Sequence, residues 1–408
     1  MQVNNEVQLK RSLSLSLVSF YGIGTILGAG IYVLVGKVAG YAGMYTLFSF
    51  LIASILAGFS AFSYAELAVR YPKSAGEAVY IQQSFGRPFL SKLIGLMIVF
   101  VGVVSTATLV HGFVGYLNVF VQWPAWWVII GLIAIMLLVA IWGIGESVII
   151  AALMTVGEII GLLIILWVAR DGFSLFPTKV AETLPPMDAT IWAGILVGAF
   201  VAFYAYIGFE DIVNVAEEVR EPQINLPRAI IISLVVTTVF YLAVALVSIM
   251  MMPPAQLAQS DAPLALLYQI TTGQHPTVIT IISLVSVLNG ALIQIIMASR
   301  VLYGMSRQGW LPKQLGMVHP RTRTPIIASL IVGGLILFFA LILPLLSLAR
   351  LTSFVTLIIF ALINLALWRL KRCSDEKSTF TVPLWVPVLG FICSSAFVLF
   401  QIYYVIQD

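Results

Sequence analysis

Eleven successive apolar stretches of about twenty residues constrain this chain more than any other feature. Reading between charges and turn residues places them at 13–36, 43–67, 93–119, 126–145, 148–169, 191–215, 227–252, 277–303, 325–344, 348–369 and 384–406. A helix of that length matches the hydrocarbon thickness of a bilayer, and a backbone surrounded by lipid must satisfy its own hydrogen bonds, which leaves helices or closed barrels. Continuous rather than alternating apolar runs select helices. Composition agrees: 61% of residues are hydrophobic and 9% are charged, against roughly 25% charged in an average soluble protein. Twenty-one basic and 17 acidic side chains cannot coat a soluble chain of 408 residues, so lipid is the main solvent. The net charge of +4 does not indicate nucleic acid, because the basic residues sit in short clusters between apolar runs and form no stripe or patch. The expected fold class is an all-α polytopic membrane protein of the inner or plasma membrane.

Loop charge gives the orientation. With the N-terminus in the cytoplasm, only Lys37, Arg170, Lys179 and Arg350 of the 21 basic residues fall outside, as the positive-inside rule requires. A missed span would invert the bias in every later loop, so the same count supports the number of spans. An odd number of spans puts Asp408 outside. Lys10 and Arg11 before the first stretch imitate a signal peptide, but ten spans behind it favour an uncleaved helix.

Two spans carry helix-breaking sequences. The first contains Gly22, Gly24, Gly28 and Gly30 within nine residues. Close helix packing would also use small residues at such spacing. The sixth span sharpens the choice, because Gly208 is followed at once by Glu210 and Asp211, and a carboxylate at mid-membrane costs about 2.5–3.5 kcal/mol on insertion scales. If spans one to five (13–169) and six to ten (191–369) are two halves, the second is inserted upside down, and the broken spans occupy matching positions. Paired breaks in inverted halves point to a transporter binding site. Unwound turns free N–H and C=O groups, and a half-helix N-terminus suits a carboxylate. A zwitterion could use both.

These residues resemble the amino acid, polyamine and organocation family of secondary transporters. The run Gly28, Ala29, Gly30, Ile31, Tyr32 is similar to its G-x-G-I-[FY] turn. Tyr71–Gly86 resembles its P-x-[SA]-G-x-x-x-Y pattern, and Tyr206–Ile230 its G-F-[DE], A-E-E and L-P-R-A-I elements. Asn289–Pro312, with His319, Pro320, Thr324 and Pro325, is closest to the L-type amino acid transporter branch. The resemblance implies an inverted five-plus-five repeat like that of the bacterial leucine transporter, with one additional helix at 384–406. It implies a substrate carboxylate on the N–H groups of Gly28, Ala29 and Gly30. The substrate amino group would meet carbonyls among Ile23, Ile26, Tyr204, Ala205 and Ile207, under an aromatic lid at Tyr204, with Tyr206 second. Most relatives have twelve helices, whereas this chain is expected to end after the eleventh. The cysteine that ties animal relatives to an accessory subunit has no counterpart, since Cys373 and Cys393 lie elsewhere. No disulfide-linked subunit is expected.

Glu158 departs most from that family, where many members carry a lysine. It lies about ten residues from either end of its span, too deep to snorkel, and a buried carboxylate that gains and loses a proton can couple transport to a proton gradient. A structural hydrogen-bonded Glu is the plainer alternative. Glu210 and Asp211 are the other coupling or gating candidates, with Asn289 or Arg300 as partners. Glu217 and Glu218 could form an inner gate with Lys10, Arg11, Arg70, Arg300 and Arg307.

An intramembrane enzyme is the competing class. His111, His275 and His319 lie at different depths, so they build no catalytic or metal cluster; His111 is expected to make a hydrogen bond inside the bundle. No Walker A, H-E-x-x-H or G-x-S-x-G run is present. The expectation is a proton-coupled L-amino acid permease without metal or cofactor; an amino acid exchanger and a polyamine or organic-cation transporter stand as alternatives.

Overall fold

The computed structural model describes residues 11, 13–28, 30–73, 76–142, 147–319, 322, 324–373 and 378–407. Among the described residues, each of the eleven apolar stretches is mainly helical. The first is split into α1 (Leu15–Leu27) and α2 (Gly30–Ala42). Then come α3 (Thr46–Arg70), α4 (Gly76–Phe85), α5 (Pro88–Leu117), α6 (Ala125–Trp142) and α7 (Ser147–Val168), and after them α8 (Asp171–Thr183) and α9 (Ala189–Phe203). The sixth stretch leaves α-helical geometry at Tyr204–Tyr206 and runs on as a 3-10 segment, Phe209–Glu218. Next are α10 (Pro222–Met251), α11 (Pro254–Gln259), α12 (Pro263–Thr272) and α13 (Thr277–Arg307). The last three are α14 (Ile326–Ile342), α15 (Leu345–Cys373) and α16 (Trp385–Gln407).

Local chemistry explains many of the helix ends. Asp188 accepts from the N–H groups of Thr190 and Ile191 and so caps α9, satisfying donors that no preceding turn can reach. Proline opens α5, α10, α11 and α12, where its missing N–H costs nothing. Gly273, in the left-handed region, closes α12. Inside the bundle, Thr106, Thr108, Thr237, Ser283 and Thr352 each return a hydroxyl proton to the carbonyl four residues back, so these buried hydroxyls have a partner away from water.

Seven helical stretches among the described residues are long and apolar enough to cross a bilayer, or eight if α7 and α8, bent by 65°, count as one. One of the seven, Leu15–Arg70, joins the first two sequence spans; α6 and α14 are shorter apolar helices. Helix α5 lies along α13, α3 along α10, and α6 along α14, while α1 packs between α7 and α10. The backbone of Leu13 bonds to both Glu218 O (3.0 Å) and Arg220 N (2.9 Å), tying the start of the first span to the end of the sixth.

Candidate functional site

The two breaks face each other. Gly208 has φ 133°, a conformation that side chains disfavour, and a Cβ there would stand 2.6 Å from the Thr25 carbonyl oxygen. A Cβ on Gly30 would stand 2.6 Å from Ala205 Cα. Glycine at both positions lets the backbones on either side of the first break touch those at the sixth. Thr25 Oγ1 lies 2.9 Å from the Gly208 carbonyl, to which it donates. From α10, the Tyr241 hydroxyl stands 2.5 Å from Ile26 O and 2.8 Å from Ala205 O, one proton serving carbonyls from both breaks. Ser286 on α13 donates to Gly28 O at 2.7 Å.

A small cavity of about 30 Å³ opens beside these breaks, lined by Thr25, Ile26, Gly28, Gly30, Ser105, Leu109, Tyr204, Ile207, Gly290, Ile293 and Gln294. That is room for about one or two water molecules. Tyr204 forms part of its wall, its hydroxyl 3.1 Å from both Oγ and the carbonyl of Ser105. On α13 the positions 286, 290, 293 and 294 follow helical spacing, so one stripe of that helix faces the first span and the cavity.

Of the residues singled out in sequence, Ile26, Gly28, Gly30, Tyr204 and Ile207 line the cavity. Three differ from expectation. Gly28 N–H is already engaged, donating to Gly24 O at 3.0 Å as the last turn of α1. Ile23 lies within α1, and Ala205 turns its carbonyl to Tyr241 rather than lining the cavity. Ala29 lies outside the described residues, as does Lys10. Tyr206 donates to Phe50 O at 3.2 Å, toward α3, and packs edge-on against Tyr241.

The acidic residues divide between two neighbourhoods. Glu158 is buried, with Oε1 accepting from Asn289 Nδ2 at 3.2 Å and Oε2 lacking a partner among the described residues. Its backbone carbonyl accepts from Tyr32. Asn289 therefore serves Glu158 and not the helix-six pair. Glu210 folds back to accept from Gly208 N–H at 2.8 Å, capping the 3-10 segment, while Asp211 accepts from Gln294 Nε2 at 3.1 Å. Glu77 on α4, beneath this pair, is buried against Tyr64. Loss of water, reinforced by Asp211, pushes the Glu77 carboxyl up to about 7 although backbone and Tyr64 hydrogen bonds oppose the rise.

Arg70 is not part of a gate with Glu217 and Glu218. It pairs with the fully buried Glu66 at 2.7 Å, and Lys371 reaches the same carboxylate at 2.7 Å. Glu66, Tyr241 and Gln294 escaped the sequence reading. Glu66 could have been found from its i,i+4 spacing to Arg70; Gln294 and Tyr241 had only the signal of a polar side chain in an apolar run. His111 bonds the Ala340 carbonyl at 2.8 Å inside the bundle.

The family model described as amino acid permease matches residues 13–408. The chain belongs to the amino acid permease family. Within that family it is 30% identical over 415 residues to the branched-chain amino acid permease BcaP of Bacillus subtilis (strain 168), covering 95% of this chain and 86% of that one. The methylthioribose transporter of the same organism is 29% identical over 405 residues, 94% of this chain and 86% of its own. The vacuolar cationic amino acid transporter 4 of Arabidopsis thaliana is 30% identical over 378 residues, 86% of this chain and 62% of its own. Family membership and the helical spans make this permease a polytopic membrane transporter of the amino acid, polyamine and organocation group, not an enzyme.

Proposed function

We propose that this permease carries L-amino acids across the cell membrane by alternating access, driven by protons, with the substrate held in the cavity between the broken first and sixth spans. The observation that carries the reading is the meeting of the two helix breaks, through the contacts Thr25–Gly208 and Gly30–Ala205, beside a small cavity. The substrate carboxylate sits at the N-terminus of α2, which opens at Gly30 and whose first N–H groups have no intrahelical acceptor. Carbonyls near Ile26 and Ile207 take the ammonium group, and Tyr204 covers the site. Leu109, Ile207 and Ile293 supply an apolar wall for the substrate's side chain.

An inverted repeat, 13–169 against 191–369, with the N-terminus cytoplasmic, is part of the same proposal. It is supported by the packing of α3 on α10, α5 on α13 and α6 on α14, the partners that such a symmetry would relate. Glu158 is the coupling group: a carboxylate with one oxygen on Asn289 and the other unpartnered can take up a proton without breaking a bond.

Uptake of radiolabelled amino acids and amines into proteoliposomes, with and without an inward proton gradient, tests the reading. Wild type should accumulate amino acids only with the gradient, and Glu158→Gln should exchange them but not accumulate them. Failure to move any of the panel would overturn amino acid transport, and unchanged gradient-driven accumulation by the Gln variant would make Glu158 structural.

A further inference from the structure

We propose that Asp211 is a positioning residue: it holds the Gln294 amide with its carbonyl toward the cavity, so that the permease favours substrates whose side chain ends in a hydrogen-bond donor over purely aliphatic ones of the same shape. This rests on the cavity being the substrate site. Gln294 is buried and lines the cavity. Its Nε2 donates to Asp211 Oδ2 at 3.1 Å, and its Oε1 has no partner among the described residues.

An amide oxygen and nitrogen are told apart only by what they bond. When ionised, Asp211 accepts and cannot donate, so in that state it obliges the nitrogen to face it, as the Nε2–Oδ2 pairing has it, and the oxygen to face the other way. Gly290, one turn earlier on the same stripe of α13 and also in the cavity wall, puts no side chain between that oxygen and a ligand. The oxygen is a buried acceptor left open, and a group that donates to it regains what burial took away. A methyl group there does not. Sites that place an unpaired polar group against a ligand discriminate strongly between isosteres with and without the matching group, while apolar walls discriminate poorly. Leu109, Ile207 and Ile293 are therefore the tolerant part of the pocket and Gln294 the selective part.

Isosteric pairs test this in proteoliposomes containing the full chain. Valine and threonine differ by methyl against hydroxyl, leucine and asparagine by methyls against an amide, and norleucine and ornithine by methyl against ammonium. Each competes against whichever labelled amino acid the wild type transports, giving an apparent affinity ratio for each pair. In at least one pair the donor-bearing member should win by about tenfold, and the winning pair identifies the donor class. Asp211→Asn lets the amide turn either way and should bring that ratio close to one, with Gln294→Met doing the same. The double variant should lower the ratio no further, because both changes remove one interaction, and Asp211→Glu should restore part of it. A purely structural role for Asp211 would weaken both members of a pair equally, and ratios unchanged in Asp211→Asn and Gln294→Met would overturn the proposal. If wild type transports amino acids with no preference in any pair, this inference falls while the permease reading stands; if it transports none, both fall.

Discussion

Single residues decide whether the first and sixth spans can touch. Gly208 combines φ 133° with the Thr25 carbonyl 2.6 Å from where a Cβ would be. Gly208→Ala should therefore cost about 1–3 kcal/mol from backbone strain, with more from the clash, and should abolish transport. Gly334, with open space around its missing Cβ, is the control: Gly334→Ala should leave thermal unfolding in detergent and uptake unchanged. Equal behaviour of the two variants would mean that the close approach at Gly208 is not needed. Glycines at the breaks were legible in sequence because only their chemistry permits such geometry. The pairings Asp211–Gln294 and Glu158–Asn289 were not, since each joins residues more than eighty positions apart, and which faces of α13 meet the sixth and fifth spans is settled by tertiary packing rather than by local pattern. Tyr241 was hidden for the same reason.

At the scale of elements, the ends of the helices are held by polar joints that hydropathy does not report. Glu66 on α3 accepts from Arg70 on its own helix, from Lys371 on α15, and from the N–H of Val382 at 2.8 Å in the segment leading to α16. Lys371 also donates to Val382 O at 2.6 Å. One carboxylate thus joins three elements, and both cations would be left facing each other without it. Removing one member of a buried charge cluster typically costs about 3–5 kcal/mol, because the remaining charge is stranded. Glu66→Ala should lose stability on that scale, and Glu66→Ala/Lys371→Met should recover part of it by taking away one stranded cation. Thermal unfolding of the purified permease reads both; a double variant no more stable than the single would show that the cluster does not act through charge. The short helices α4, α8, α11 and α12 belong to this scale as well. They lie between the apolar runs, and α8 holds Asp171, Lys179, Glu182 and an internal Pro177, so no uniform period marked them in sequence.

Across the whole molecule, the apolar runs were the most legible feature, because a chain in lipid has few options other than helix. Their direction through the membrane rests on where the basic residues fall, and the native cysteines make that testable without changing the chain. Cys373 is exposed at the end of α15, beside Lys371 and Arg372. Cys393 is partly buried in the middle of α16, where lipid disfavours the reactive thiolate. The proposed orientation, with the N-terminus cytoplasmic and ten spans before it, puts Cys373 on the cytoplasmic side. A membrane-impermeant maleimide should therefore label inside-out vesicles and spare right-side-out ones, and Cys373→Ser should abolish the signal. Labelling of Cys373 from outside would overturn this orientation, either by reversing the whole chain or by one span more or fewer between Lys10 and Cys373. A changed span count would also undo the proposed inverted repeat, which needs five spans in each half for the two broken spans to cross the membrane in opposite directions.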